Sequence, residues 1–355
     1  MNPVLFSMKR GSSYLLIILF FNPLTFICLQ SFSTMKKALI QLHLAVLLWG
    51  FTGVLGRAIS LDAPVLVWYR MLLTALFMLV IIIYRKQWVK PEPEDVRKLA
   101  VVGCLMGLHW VAFYAAIKFA NISIALVCLS TASIFTSLLD PFVNGGKREA
   151  REVLLGSLAI IGVYLIYRFQ QFYGPGIAFG VAAAIISSVF TVLNKKIANK
   201  YPARTMVFYE MATGWVFISL LIPVLFYYVP QTKFLPRSSG FTFAGLLQND
   251  WLWLVILSLC CTVWAQSLAL NALKKLTSFT VTLSVNLEPV YGILLAFLFY
   301  NENKEIIFNK GTTDLNWGFL SGMGLILLSV ILQMLRLLKP RFSTSGFVKE
   351  KGGID

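Results

Sequence analysis

The chain has 355 residues, of which 58% are hydrophobic and only 13% charged, with a formal net charge of +16 and a mean hydropathy of +0.77. That composition excludes a soluble globular domain. It also gives no reason to expect a nucleic-acid surface, because the Lys and Arg residues sit in short connections between apolar blocks, where they act as topology determinants. The blocks are about 20 residues long, the length a helix needs to cross a hydrocarbon core of about 30 Å, and they lack the alternation of an outer-membrane barrel. Cys104, Cys128, Cys260 and Cys261 fall inside apolar blocks as small packing residues. No Cys or His pair has ligand spacing, so neither a metal site nor a cofactor is expected.

Residues 1–34 carry Lys9 and Arg10 followed by an apolar stretch, which reads as a signal-like segment or an extra span. Met35-Lys36-Lys37 then opens a second start, in which a basic patch leads into a hydrophobic helix. Met35 is the expected initiator, with 1–34 a mis-assigned extension. From there about ten spans are predicted, at 39–59, 64–84, 99–119, 122–143, 153–168, 175–194, 205–228, 251–273, 278–300 and 316–338. The basic clusters Lys36/Lys37, Arg85–Lys98, Lys147–Arg151, Lys195–Arg204, Lys274/Lys275 and Arg336/Lys339 with Arg341, Lys349 and Lys351 of the tail 341–355 all fall on one face if the termini share it. Both termini are therefore expected in the cytoplasm.

The chain repeats itself. LLGSLAIIGVYLIYR in the fifth span matches NWGFLSGMGLILLSVI in the tenth, with Gly156 and Gly162 opposite Gly318 and Gly324. Tyr69-Arg70-Met71 parallels Tyr209-Glu210-Met211, and Phe51-Thr52 parallels Phe190-Thr191. Residues 35–170 and 171–340 are thus two copies of a five-span unit, and because five is odd the copies must be inverted. The fold class expected is an all-α integral membrane protein of two inverted five-helix repeats.

These halves, with WGFTGVLGRAISLDAPVLVWYRMLLTALFMLV near the start, NLEPVYGILLAFLFYNE in the ninth span and a Gly-rich last span in each half, resemble the EamA family of the drug/metabolite transporter superfamily. The resemblance covers essentially all of 35–340. It implies a plasma-membrane carrier of small metabolites, often an exporter of amino acids or related compounds, with a cavity between the halves. Asp140-Pro141 looks like Glu288-Pro289, but aligning Ser123 with Ser278 puts the equivalent of Glu288-Pro289 near Thr131–Ser133. The role of Glu288 is therefore not carried to Asp140.

Glu288 is the leading candidate, since a carboxylate near the midplane costs about 2.5–3.5 kcal/mol on insertion scales and so faces protein or a watery cavity. Pro289 frees the Val285 carbonyl beside it. Such a carboxyl can exchange protons or meet a substrate ammonium; its bland alternative is a hydrogen-bonding plug in a kinked helix. Asn286, His109, Trp110, Tyr114, Trp264, Gln266 and Trp49 are further candidates for the cavity wall, against the plainer role of aromatic helix packing. Arg70 and Glu210 match in the repeat but differ by roughly 12 Å in depth at 1.5 Å per residue. Each is expected to bond helix ends or gate its own half. Gly50, Gly53 and Gly56, and Gly318, Gly322 and Gly324, read as close-packing faces.

The function expected is a secondary transporter working by alternating access on a small-molecule substrate in the lipid bilayer, open to proton coupling and to a homodimer. No Gly-rich loop ending in Gly-Lys-Ser/Thr is present to harness ATP. An intramembrane enzyme is the competing class, but neither HExxH nor a paired-carboxylate arrangement appears. A non-transporting receptor or scaffold is the third, and no soluble sensory domain supports it.

Overall fold

The computed structural model describes residues 23–145, 149–167, 174–228, 232–238, 248–300, 307 and 316–338. The tail 341–355 and residues 1–22 of the N-terminal extension lie outside the described residues. Among the described residues every regular element is a helix: α1 Pro23–Ala58, α2 Ala63–Tyr84, α3 Pro93–Phe119, α4 Ile122–Ser130, α5 Ala132–Asn144, α6 Ala150–Tyr167, α7 Gly174–Ile197 and α8 Ala203–Tyr228 in order. There follow α9 Asp250–Ser258, a π-helical turn Leu259–Trp264, α10 Ala265–Leu273, α11 Ser278–Val285, α12 Glu288–Tyr300 and α13 Trp317–Leu338. Helix α1 runs unbroken past Met35, and its apolar part is Thr34–Ala58.

Nine stretches among the described residues are long and apolar enough to cross a membrane, and α6, with 18 residues, is the tenth segment. Their starts follow from local chemistry. Pro64 and Pro93 occupy the first turns of α2 and α3, where no amide donor is needed, and Glu94 and Asp95 sit at the positive end of the α3 dipole. Asn121 and Asn249 cap α4 and α9, accepting from Ile124 N at 2.8 Å and Trp251 N at 3.0 Å.

Packing obeys the repeat. In the first half, α1 lies against α10 and α12 of the second; in the second half, α7 lies against α3, α4 and α5 of the first. Exchange the halves and these contacts map onto one another. Helices α2 and α8 pair, as do α6 and α13, each joining equivalent elements. Gly162 and Gly322 allow that last approach, since a Cβ on Gly162 would stand 2.6 Å from the Gly322 carbonyl oxygen. Gly324, expected on the same face, is instead exposed with open space beside it. The outward faces are apolar, as lipid requires: Val80, Leu220 and Leu298 are all exposed.

Two spans break in the middle, at equivalent places. The ninth breaks between α11 and α12, where Asn286 N and Leu287 N reach back only three residues, to the carbonyls of Leu283 and Ser284. The fourth breaks between α4 and α5 at Thr131, whose hydroxyl donates to Cys128 O at 2.6 Å while Ser133 Oγ donates to Ser130 O at 3.1 Å. Pro289 explains the first break. The second has no proline, and its Ser and Thr hydroxyls bond back to the helix instead. The breaks meet, for Asn286 Nδ2 donates to Ser133 Oγ at 3.3 Å.

Candidate functional site

Between the halves lies a cavity of about 90 Å³, room for several water molecules or a small solute. Its wall is drawn from both halves: Trp49 and Thr52 of α1, Arg70 of α2, His109, Trp110 and Phe113 of α3, Thr191 and Asn194 of α7, Gln266 of α10, Thr282 of α11 and Glu288 of α12. Apolar and aromatic surface dominates, with a few polar groups converging on it, the usual make-up of a small-molecule site.

Arg70 is the most heavily held group there. It is 1% exposed. Its Nε donates to Thr262 Oγ1 at 2.9 Å, Nη1 to Tyr114 OH at 3.0 Å and Nη2 to the Cys261 carbonyl at 3.4 Å. The guanidinium carbon lies 3.8 Å from the centre of the Trp110 ring. All these partners are neutral, and no carboxylate among the described residues pairs with it within 4.0 Å. A guanidinium has five N–H groups, so one on each terminal nitrogen remains for an incoming acceptor. Glu288 acts on this charge through its field without touching it.

Glu288 supplies the opposite charge on the same wall. It is 4% exposed, at the first position of α12 beside the break, and among the described residues its carboxyl makes no hydrogen bond or ion pair. The break therefore has a consequence: it delivers an unpaired carboxyl, and the positive end of a half-helix, to the cavity.

His109 also lines the cavity, and its Nδ1 lies 2.8 Å from the Ala183 carbonyl. A carbonyl only accepts, so Nδ1 carries the proton, and a neutral ring keeps its lone pair on Nε2. Phe113 stacks on it and Phe190 meets it edge-on.

Of the residues expected from sequence, Glu288, His109, Trp110, Gln266 and Trp49 share this wall, and Arg70, expected at a gate, joins them. Tyr114 does not reach the cavity. It is fully buried behind Arg70, whose Nη1 it accepts, with its ring against Gly56. Asn286 is fully buried at the junction of the two breaks. Trp264 is corrected outright: it is 58% exposed and lines a separate lateral groove. Trp264 and Gln266 are two residues apart, so on a helix they point in different directions, and Gln266 takes the inward one. Glu210 lies wholly buried, outside the cavity, with its carboxyl facing the Asn194 side chain and its backbone against Gly103.

Thr52, Thr191 and Asn194 were missed, although Thr52 and Thr191 occupy matching places in the repeat. The π turn was also missed. There the Ala265 amide reaches the Cys260 carbonyl, five residues back, in the stretch that offers Thr262 and Cys261 to Arg70.

Each end of the molecule is tied across the halves by one carboxylate. Asp95, at the start of α3, accepts from Tyr201 OH at 2.9 Å, Lys200 Nζ at 3.1 Å and Lys98 Nζ at 3.2 Å. Lys200 and Tyr201 belong to the turn between α7 and α8. Asp250, at the start of α9, accepts from Ser60 N at 3.0 Å and Ser60 Oγ at 2.5 Å, in the turn between α1 and α2, and from Arg237 N at 2.8 Å. The spacing from 95 to 250 equals that from 123 to 278, and 60 to 200 equals 70 to 210. The two ties are one contact made twice by the repeat, at opposite ends.

The EamA-like transporter family model matches residues 36–168 and 174–335. The chain is 26% identical over 281 residues to an uncharacterized transporter of Archaeoglobus fulgidus, covering 76% of this chain and 91% of that one. It is 24% identical over 279 residues to an uncharacterized transporter, YxxF, of Bacillus subtilis, covering 76% and 84%. A solved crystal structure superposes with a TM-score of 0.64 at 18% identity, over 85% of this chain and 98% of its own, a likeness of fold alone. With the helical repeat, the broken spans and the central cavity already in view, the match over most of its length makes this chain a member of the EamA-like transporter family.

Proposed function

We propose that the protein is a secondary transporter that exports small metabolites, such as amino acids or related compounds, across the plasma membrane by alternating access, with both termini cytoplasmic. The observation that carries this reading is the cavity between inverted halves, with Arg70 and Glu288 on its wall and neither hydrogen-bonded to the other. A ligand bearing a carboxylate would satisfy the free N–H groups of Arg70, and an ammonium would meet Glu288. When no cargo is present, a proton on Glu288 can take the place of that ammonium, which is how export could be coupled to proton entry. The Asp95 and Asp250 ties would open in turn as the halves rock, each exposing the cavity to one side. The role assigned here makes and breaks no covalent bond of the substrate.

The test is a thermal-stabilisation screen of the purified protein against the amino acids and their decarboxylated and deaminated relatives, followed by flux of every stabilising compound in proteoliposomes with and without a protonophore. A stabilising compound that crosses only in protein-containing vesicles is the expected result. A compound that binds yet never crosses would point instead to the receptor class.

A further inference from the structure

A second, larger recess lies on the flank of the molecule, apart from the central cavity. It is a lateral groove of about 1110 Å³ between α1 and α2 of the first half and α10 and the α7–α8 turn of the second. Its wall is apolar, with Leu47, Val80 and Trp264 exposed at 42%, 65% and 58%. Its rim is basic at one end only, carrying Arg85, Lys200, Arg204 and Lys274, and its lining contains no Asp or Glu.

Each of these charges has a known environment. Lys200 is the partner of Asp95 at 3.1 Å, which neutralises one of the four. Lys274 Nζ donates to the Tyr201 carbonyl at 3.0 Å, a neutral acceptor, and burial together with the neighbouring Lys275 holds its ammonium below the ordinary lysine pKa. Arg85 and Arg204 have no ion pair among the described residues. The rim therefore keeps about three uncompensated positive charges at the end of a largely apolar groove whose lining runs from Trp264 to Lys274, about 15 Å at 1.5 Å per residue. The fold also puts a large aromatic, Trp264, in the groove lining, where it serves neither the core nor the central cavity.

We infer that this groove binds an anionic phospholipid, with one acyl chain along Leu47, Val80 and Trp264 and the headgroup phosphate held by Arg85, Arg204 and Lys274. Charge complementarity selects this occupant over a zwitterionic lipid, since three cations with no carboxylate on the wall favour a net negative headgroup. The apolar length selects it over free phosphate, which the rim alone would have to hold. Lys200 stands at the same rim and holds Asp95, so the headgroup sits beside one of the two end ties.

The experiment uses the full chain, purified and reconstituted in nanodiscs with phosphatidylglycerol or phosphatidylcholine of identical acyl chains, with soluble glycerophosphoglycerol as a third arm. Melting temperature and native mass spectrometry are read in each. Phosphatidylglycerol is expected to stay bound and raise the melting temperature above that in phosphatidylcholine. The soluble headgroup should do neither. At about fivefold per basic residue, the double variant Arg204→Gln/Lys274→Gln should weaken retention roughly 30-fold. Leu47→Trp, which fills the groove and leaves the charges intact, should weaken it too. A photoreactive phosphatidylglycerol should crosslink to peptides carrying Val80 or Trp264. Equal retention of the two lipids, a shift with the soluble headgroup, undiminished binding in the double variant, or a second copy of the chain covering the groove would each overturn the inference.

Discussion

At their ends the two halves carry the same chemistry, and at their centres they carry opposite chemistry. Asp95 and Asp250 stand at equivalent positions and each grips the first turn of the other half. Near the midplane the equivalence fails: the broken span of the first half offers Ser133 where the second offers Glu288, and Arg70 in the second span corresponds to Glu210 in the seventh. A rocking motion needs ends that can exchange states, which symmetry supplies. A cargo with a head and a tail needs a centre that is not symmetric, and here the cation comes from one half and the carboxyl from the other.

The largest effects should come from breaking that central asymmetry. Arg70→Gln removes the guanidinium while leaving a polar group for Tyr114 and Thr262, and flux should fall roughly 10- to 100-fold, the worth of a hydrogen bond to a charged group. His109→Ala should do less, because its Nδ1 is already committed to Ala183. Flux of the stabilising substrate, normalised to protein in the vesicles, checks both.

Next come the ends. Asp250→Asn and Asp95→Asn should bias the protein in opposite directions, the first opening the cavity beside Ser60 and the second opening it beside Tyr201. Thiol labelling of a Thr191→Cys reporter in the cavity, with an impermeant reagent added to one side of oriented vesicles at a time, should rise on opposite sides in the two variants. Labelling that rises on the same side in both would break the comparison.

A smaller effect is structural. A Cβ on Gly56 would stand 2.2 Å from Tyr114 Cε1, so Gly56→Ala should cost about 1–3 kcal/mol of stability and displace the ring that supports Arg70. A lowered melting temperature checks it. Smallest of all, Trp264→Ala should leave flux nearly unchanged, since the side chain lies on the outer groove.

Much of this was legible in the sequence because a membrane forces it to be. Apolar length gave the spans, and the odd count of spans per repeat gave inversion. The break at Glu288-Pro289 was visible because proline has one mechanical consequence in a helix, and the alignment of Ser123 with Ser278 pointed to the place where α4 gives way to α5. Other features were harder to read. The π turn has no signature in LCCTVW, because it costs one shifted hydrogen bond rather than a particular residue. Arg70 was assigned by the depth of its backbone, yet its long side chain carries the guanidinium to the Trp110 ring and the cavity wall. Trp264 was placed by its depth near the midplane and its place in the repeat, when its spacing from Gln266 already allowed only one of the pair to face inward. Asp95 and Asp250 were readable as a repeat, but their partners lie in turns whose approach only the fold reveals.

Glu288 is the one carboxyl on the cavity wall, and it makes no hydrogen bond or ion pair among the described residues. The direct measurement is counterflow of a labelled substrate in proteoliposomes, wild type against Glu288→Gln, across a range of external pH. Wild-type flux that varies with pH, with a variant reduced roughly 10- to 100-fold and no longer responding to pH, is the predicted result. A Glu288→Gln variant that matches wild type at every pH would contradict it.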